Sequence, residues 1–487
     1  MLSGEPGIGK SRLTIALQEE IQTEPHNRLR HFCSPHHRDS VLFPFIAELQ
    51  RTAGFSRDDT RRVKLAKLAA LLAPTSPPDE DMALLAELLS IPTNDRYPPL
   101  SLTPQRQKEK TFAALLRRVE GSACQKPVLM IFEDAHWSDP TSRDLLDLIV
   151  ERVHRLPVLL LLIFRPEFQP SWIGQAHVTV MMLSRLNQRE GASLVERIIG
   201  DKQLPGDVMD EIVERADGVP LFVEELTKGL IEVAGASEAV AGSAVDATAR
   251  SALGVPTTLH ASLMARLDRL GLASKEVAQV GSVIGREFSY ELLAEVAPLS
   301  DQEKLRDALQ QLTAAGLILQ RGRLPFASYA FKHVLLQDAA YASLLRAKRQ
   351  QIHAVIKRVL ENRTPEVAEA QPELLAFHCV EAGLLREAID YWERAARRAA
   401  QRSANREAAA HFRKALELLK RMPESAEHDR NELNLLIAVG PALMATMAST
   451  APEVASTYAR AGELARKTGR GAISYALGRA TCRDSQR

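Results

Sequence analysis

The stretch Gly4-Glu5-Pro6-Gly7-Ile8-Gly9-Lys10-Ser11 decides the fold of the N-terminal part of the chain. It matches the pattern G-x-x-x-x-G-K-[ST] in full, and an amphipathic segment over 12–17 follows at once. In such a loop the glycines let backbone N–H groups turn inward around phosphates, the lysine reaches the β and γ oxygens, and the serine hydroxyl binds Mg²⁺. The sequence therefore predicts a nucleotide site whose cofactor-binding residues include Gly4, Gly7, Gly9, Lys10, Ser11 and Arg12, with Ser11 also a metal ligand.

An apolar segment that ends in two carboxylates supplies the second half expected of such a site. It runs over 128–132, precedes Glu133 and Asp134, and resembles a Walker B strand. In most ATPases with two acids at this place, the first is Asp, which holds Mg²⁺ through water, and the second polarises the attacking water. Here the longer acid comes first. We expect Glu133 to bind Mg²⁺ and both acids to take part in catalysis. Hydrolysis is expected to be slow, because the shorter second acid would position the water poorly.

The N-terminal half alternates between short apolar segments and helical stretches, which is typical of a parallel sheet covered by helices. The clearest predicted strands are 29–33, 127–132 and 157–164, and each ends at a polar cluster. Ligand groups gather at that edge of such sheets. An α/β P-loop NTPase core is predicted over 1–185, with its first strand truncated, followed by an all-helical lid over 186–233.

The C-terminal half is predicted to be mainly helical. Small residues over 234–254 indicate a linker, and 255–362 combines short helices with a β-hairpin, which favours a winged-helix-like domain. Over 363–487 a small residue, an aromatic four later and an alanine three after that recur at Ala388/Trp392/Ala395, Ala408/Phe412/Ala415 and Val454/Tyr458/Ala461. This pattern is typical of tetratricopeptide repeats, although a simple helical bundle explains the same alanines.

Length, charge and cysteine content limit the class of protein but do not indicate a binding partner. The 487 residues suggest about three domains, and a net charge of +1 gives no overall attraction to nucleic acid or membrane. The longest apolar segment, 156–164, is about half of a bilayer span. No secretion signal precedes Gly4, and four distant cysteines argue against disulfides, so we expect a cytoplasmic protein.

With both halves of the nucleotide site in place, the chain resembles the STAND class of P-loop ATPases, signal-transduction ATPases with numerous domains. Within it, the chain is similar to bacterial AAA/ORC-like ATPases that carry tetratricopeptide repeats. The resemblance covers nearly the whole chain. Besides the loop and the acids, it rests on Cys33-Ser34-Pro35-His36-His37 and on the segments 102–111, 135–142 and 218–226.

The resemblance implies three further site residues. Arg165, directly after the strand that follows the acids, would sense the γ-phosphate and is a catalytic candidate. Pro220 in the G-x-P turn would pack on the adenine, and His333 would contact the ADP phosphate. Pro220 is otherwise an ordinary helix-opening proline, and His333 a histidine packed against the next helix. The choice of ATP/ADP over guanine nucleotides depends on this resemblance alone.

The resemblance also implies a mechanism. ADP would hold the NTPase and winged-helix domains closed, and a protein partner at the helical repeats would favour exchange for ATP, with nucleotide-dependent homo-oligomers as one outcome. Alternatives are a DNA-binding transcriptional regulator, the ATPase part of a class III adenylate/guanylate cyclase regulator, or a scaffold with a vestigial site. We expect the chain to be part of a longer regulator, because only three residues precede Gly4.

Two residue clusters invite other readings. His31, Cys33, His36 and His37 offer metal-ligand atoms, but no second ligand pair lies nearby in sequence. A series of arginines over 386–413 is interleaved with acids, which favours a solvated helix face over a nucleic-acid surface.

Overall fold

A computed structural model describes residues 1–56, 59–75, 77–93, 96–97, 100–200, 204–238, 258–297, 301–447 and 451–469. The strands are β1 Leu2–Ser3, β2 Asn27–Phe32, β3 Val128–Glu133, β4 Val158–Phe164, β5 Met181–Met182, β6 Glu287–Ser289, β7 Ile318–Arg321 and β8 Ser328–Phe331. The helices of the first half are α1 Lys10–Glu20, α2 Phe43–Thr52, α3 Arg61–Leu72, α4 Asp79–Leu88, α5 Pro104–Gln125, α6 Pro140–Val153, α7 Gln188–Ile199, α8 Gly206–Ala216 and α9 Pro220–Glu238.

The second half continues with α10 Leu259–Arg269, α11 Leu272–Ile284, α12 Tyr290–Val296, α13 Gln302–Ala314, α14 Val334–Ala342, α15 Arg346–Arg363, α16 Pro365–Ala370, α17 Pro372–Ala382, α18 Leu385–Gln401, α19 Asn405–Leu419, α20 Ala426–Thr446 and α21 Pro452–Lys467. The chain divides into two compact units. The first comprises 1–23, 164–169 and 179–359, and the second comprises 24–163, 170–178 and 360–487.

Parallel strands carry the predicted acidic segment in the second unit. β3 lies between β2 and β4, and every residue of β3 is buried, so it reads as an unbroken apolar segment. The three predicted strands match β2, β3 and β4 to within two residues. The predicted α/β fold with a parallel sheet is therefore confirmed.

The strand before the phosphate loop lies in the first unit and is short. β1 covers only Leu2–Ser3 and pairs in parallel with β5, with Leu2 opposite Met181. The truncation of this strand stays a prediction.

The lid segment has its own core. Val195 of α7, Ile212 of α8 and Val223 of α9 are among the buried residues that pack together there. α9 runs to Glu238 and so includes the first residues of the predicted linker. The remainder of that linker, and residues 255–257, lie outside the described residues.

The segment after the linker contains the predicted hairpin together with a strand that the sequence did not predict. β7 and β8 are antiparallel, and β6 pairs with the other edge of β8. Helices α10 to α13 precede the hairpin. A winged-helix class for this segment stays a prediction.

The C-terminal helices bury the recurring triplets. Trp392, Phe412 and Tyr458 are each at most 8% exposed. A Cβ atom added at Gly440 of α20 would lie 2.4 Å from the Tyr458 hydroxyl of α21, so the small residue permits the approach. Repeat identity stays a prediction, and residues 470–487 lie outside the described residues.

The solvated-face interpretation of the arginines is only partly right. Arg397 pairs with Glu393 on an exposed surface, whereas Arg398 and Arg402 are half-buried against the α/β part of the second unit. Successive residues of a helix point about 100° apart, so Arg397 and Arg398 lie on different faces of α18. Their spacing in the sequence does not show which of these faces is turned inward.

No helix among the described residues is both long and apolar enough to cross a membrane.

Candidate nucleotide site

The phosphate loop has the backbone that its sequence predicts. Gly7 and Gly9 have φ angles of +79° and +101°, a region that side chains with a Cβ rarely adopt. Gly4 is required by space, because an added Cβ would lie 2.8 Å from Ile8 Cγ2. α1 begins directly after Gly9, at Lys10, so its first N–H groups and its positive dipole end lie at the loop.

Lys10 lies over the loop. Its ammonium donates to the carbonyl oxygens of Gly4 at 2.5 Å and Glu5 at 2.8 Å. Ser11 is exposed at the start of α1, while Arg12 pairs with Glu19 along the exposed face of the same helix. Lys10 therefore lies across the loop and Ser11 at its exposed end, whereas the Arg12 side chain is engaged away from the loop.

The G-x-P turn touches the loop directly. Leu221 N–H donates to the Gly7 carbonyl at 3.1 Å, and a Cβ added at Gly7 would lie 3.2 Å from both Leu221 Cβ and Val219 Cγ1. Pro220 opens α9, where a missing N–H costs nothing. The lid helix thus begins at the phosphate loop.

His333, the residue directly before α14, lies beside the next turn of α9. Ligand atoms of His333, Glu224 and Glu225 lie within 4.8 Å of one another, and Glu224 follows Leu221 by three residues, about 5 Å along α9. His333 Nε2 is buried without a hydrogen-bond partner among the described residues. Burial, followed by the positive charge of Lys332, lowers the pKa of His333 to about 4. The side chain is a neutral imidazole close to several cations.

A metal ion does not fit this cluster. Glu224 pairs with Lys332 at 3.2 Å, and the buried Glu225 pairs with Arg266 at 2.5 Å. Two cations already neutralise the carboxylates, so an orphaned His333 Nε2 beside cations fits an anionic group better than a metal.

Arg165 comes directly after β4, as the resemblance implies. Burial has the larger effect on Asp338 of α14 and raises the pKa of that carboxyl overall. Arg165 lies close enough to Asp338 for its charge to lower this pKa. In the first unit the structure therefore brings together the loop, the Pro220 turn and His333, and it places Arg165 near Asp338 on the helix that His333 caps.

The two acids close β3 in the second unit. Glu133 is 3% exposed, whereas Asp134 is partly exposed and has a left-handed backbone with φ +55°. Trp137 N–H donates to the Asp134 carbonyl at 2.9 Å, which fixes the turn after the strand. The more accessible of the two carboxylates is therefore the second.

Comparison with known proteins bears on this part of the chain. A family model described as an AAA ATPase domain matches residues 1–163. Residues 1–163 are therefore similar to AAA ATPase domains. The matched region of this AAA ATPase domain includes the phosphate loop, Glu133 and Asp134, and it ends before Arg165. Nucleotide binding, usually with Mg²⁺, is the property of such domains, and the loop donors described above fit it.

Similar proteins extend over more of the chain than the AAA ATPase domain. An uncharacterized protein of Rhizobium meliloti (strain 1021) is 28% identical over 470 residues, which cover 96% of this chain and 45% of that protein. The chain therefore spans about half the length of this curated relative.

Among the solved structures that also match are the following two. One is a Signal Transduction ATPase with Numerous Domains (STAND) protein with a tetratricopeptide repeat sensor from Pyrococcus horikoshii, with 12% identity and a TM-score of 0.41, covering 98% of this chain and 69% of that one. The other is Drosophila ORC bound to DNA, with 13% identity and a TM-score of 0.25, covering 70% of this chain and 88% of that one.

Arg30 is a site residue of the AAA ATPase domain that sequence reasoning missed. Its Nε and Nη2 atoms donate to Glu133 Oε1 at 2.8 and 2.5 Å. Arg30 lies on β2 opposite Ile131, and Phe32 opposite Glu133, so arginine and acid share one face of the sheet. The only sequence signal is a charged residue, Arg30, inside the predicted strand 29–33. The register that places it beside Glu133 comes from strand pairing.

Proposed function

We propose that the chain is the ATPase part of a signal-transduction protein, in which bound ATP or ADP sets the relation between the phosphate loop, the lid and the 255–362 segment. The observation that carries this proposal is the continuity of α9, which touches Gly7 at Leu221 and reaches His333 at Glu224. A bound phosphate that changes the contacts of Lys10 and His333 would therefore affect the first turn of α9 at both of its ends, at Leu221 and at Glu224.

The proposed cofactor is ATP or ADP with Mg²⁺. Gly4, Gly7, Gly9 and Lys10 would hold the phosphates, Ser11 the metal ion, and Pro220 the adenine. His333 is proposed to contact a phosphate, and its orphaned Nε2 supports this role.

Slow hydrolysis is the proposed catalytic property. Glu133 is paired with Arg30, and a carboxylate neutralised by a guanidinium is a weaker ligand for Mg²⁺. Asp134 and Arg165 are proposed to act on the attacking water and the γ-phosphate. Protein partners are proposed to bind the C-terminal helices and favour nucleotide exchange.

The test is nucleotide affinity of the full chain carrying Lys10→Ala. Fluorescence titration with a labelled ATP and a labelled ADP should show at least a tenfold loss, about 1.4 kcal/mol, because the ammonium contact to the phosphates is removed. Lys304→Ala is the matched control, since Lys304 is 69% exposed on α13. Equal affinities for the Lys10 variant and the wild type would refute the proposal.

A DNA-binding role has no specific support. On α13, the helix that would enter a groove, the Arg306 guanidinium donates to the Tyr290 hydroxyl at 3.4 Å, which leaves few bases for phosphate contacts.

A further inference from the structure

Two arginines line a partly open cavity in the second unit. Arg398 lies in the last turn of α18, and Arg402 caps the end of that helix. The cavity has a volume of about 50 Å³, and residues 39–50 and 88–90 of the α/β part line its other side. This space suits a few waters or one small anion, because each water needs about 10–15 Å³ on this measure.

The guanidinium of Arg402 is poorly compensated. Burial and the neighbouring charge of Arg398 lower the pKa of Arg402 to about 10. Its one hydrogen bond to the described part of the chain is long, from Nη2 to the Leu88 carbonyl at 3.4 Å. A cation that is partly removed from water normally has an anionic partner, since desolvation without one is costly.

Arg398 is held in place but lacks a carboxylate partner. Its Nη1 donates to the Glu369 carbonyl at 2.6 Å and its Nη2 to Ser90 Oγ at 2.7 Å. Its Nε is buried with no acceptor among the described residues. Two neutral acceptors position the fork without neutralising it, which is the arrangement of a preorganised anion site.

The acids near the cavity make no close ion pair with the two arginines. Asp39 pairs with Lys414 at 2.5 Å. Glu373 is 9% exposed, and burial raises its pKa, so burial favours the neutral carboxyl. Neither Arg398 nor Arg402 forms an ion pair within 4.0 Å in the described ranges, and the carboxylates that act on them, those of Glu373, Glu369 and Glu87, do so from a longer distance.

We propose that this cavity binds a small organic anion whose carboxylate or phosphate group accepts hydrogen bonds from Arg398 and Arg402. Planar guanidinium forks bind both groups in bidentate fashion. The apolar side chains of Val41, Ile46 and Leu89 line the same cavity and suit a short carbon chain. The ligand contacts both the C-terminal helices and the α/β part of the second unit, so it is an input that acts where those two parts of the unit meet.

The test uses the full chain with Lys10→Ala, so that the phosphate loop does not contribute and the result is independent of the nucleotide function. Calorimetric titrations use inorganic phosphate and propionate, each against KCl of equal ionic strength. We expect saturable binding of at least one probe, and at least a tenfold loss of affinity in Arg398→Gln/Arg402→Gln. Binding of phosphate alone assigns a phosphate group, and binding of propionate alone a carboxylate.

Arg397→Gln is the matched control, because Arg397 is 57% exposed on the same turn of α18, and it should bind as the parent does. Arg402→Lys keeps the charge but loses the fork, so it should weaken binding while leaving the circular dichroism spectrum unchanged. The proposal is overturned if neither probe shows saturable binding, or if the double variant binds as tightly as the parent. If the double variant does not fold, Arg402→Lys takes its place in this comparison.

Discussion

The ion pair between Arg30 and Glu133 is the residue-scale feature with the most direct consequence for stability. Glu133 is almost fully buried, and its arginine is 30% exposed. Arg30→Ala leaves the carboxylate without its cation, and we expect a loss of about 1–3 kcal/mol of unfolding free energy. Urea denaturation measures it.

The control for Arg30 is another arginine–glutamate pair in the same unit. Arg152 and Glu120 are paired at the surface, where such pairs contribute about 0–1 kcal/mol, so Arg152→Ala should change stability little. Equal effects of the two substitutions would contradict a structural role for the Arg30–Glu133 pair.

His31 gives a residue-scale prediction of pH dependence. The ring lies 4.2 Å from that of Phe132 and 4.9 Å from that of Phe45, and burial lowers its pKa to about 4. In the unfolded chain the pKa of this histidine is near 6.5, so as the pH decreases the unfolded state binds a proton before the folded state does. The free energy of unfolding therefore falls between about pH 6.5 and about pH 4.

His31→Phe removes this titration and keeps the aromatic stack. Between about pH 6.5 and pH 5 we expect the variant to lose up to about 2 kcal/mol less than the wild type. Urea midpoints across this range measure the difference, with His154→Phe, at an exposed position, as control. An unchanged pH slope in the His31 variant would contradict the assignment.

At the scale of elements, the approach of α20 and α21 depends on Gly440. Gly440→Ala gains up to about 1 kcal/mol of helix propensity, but the new methyl group would meet the Tyr458 hydroxyl at 2.4 Å and its Cζ at 2.7 Å. Overpacking costs about 1–3 kcal/mol, so we expect net destabilisation in thermal or urea unfolding.

Gly229→Ala in α9 is the matched substitution. There the added Cβ lies 3.4 Å from Arg269 Nη2, the flexible end of a side chain, so propensity should dominate and stability should rise. If Gly440→Ala were as stabilising as Gly229→Ala, the two C-terminal helices would not pack as described.

At the scale of the whole molecule, a buried carboxylate pair joins distant parts of the second unit. Asp139 caps α6 and accepts from Ser142 N–H at 2.8 Å, while Glu407 of α19 accepts from Thr141 N–H at 2.6 Å. Burial, then the charge of Glu407, raises the pKa of Asp139. The folded chain therefore holds this proton more tightly than the unfolded chain, and stability is lost as the pH rises above about 4.

Glu407→Gln keeps an acceptor for Thr141 and removes the repulsion. We expect it to stabilise the chain at about pH 8, by about 1.4 kcal/mol for each unit by which the pKa of Asp139 falls, and less at about pH 5. Urea midpoints at both pH values measure this effect, with Glu463→Gln, 59% exposed, as control. A destabilised Glu407 variant at the higher pH would disprove the charge argument.

Local patterns were sufficient for the features that short segments determine. The loop from Gly4 to Ser11, the strands before Cys33 and Glu133, and the buried faces of Trp392 and Phe412 all follow from residue type and spacing, because backbone preference and apolar periodicity act over a few residues. These features fixed the α/β class and the nucleotide motif in advance.

Only the tertiary structure decided what pairs with those features. Arg30 meets Glu133 through strand register, His333 meets Glu224 through the lid helix, and Arg398 and Arg402 turn inward because α18 packs on residues 88–90. Each pairing joins residues far apart in sequence, and its free energy depends on burial and on the distance between charges. Burial and charge separation are set only when the chain is folded, so they cannot be obtained from the sequence pattern.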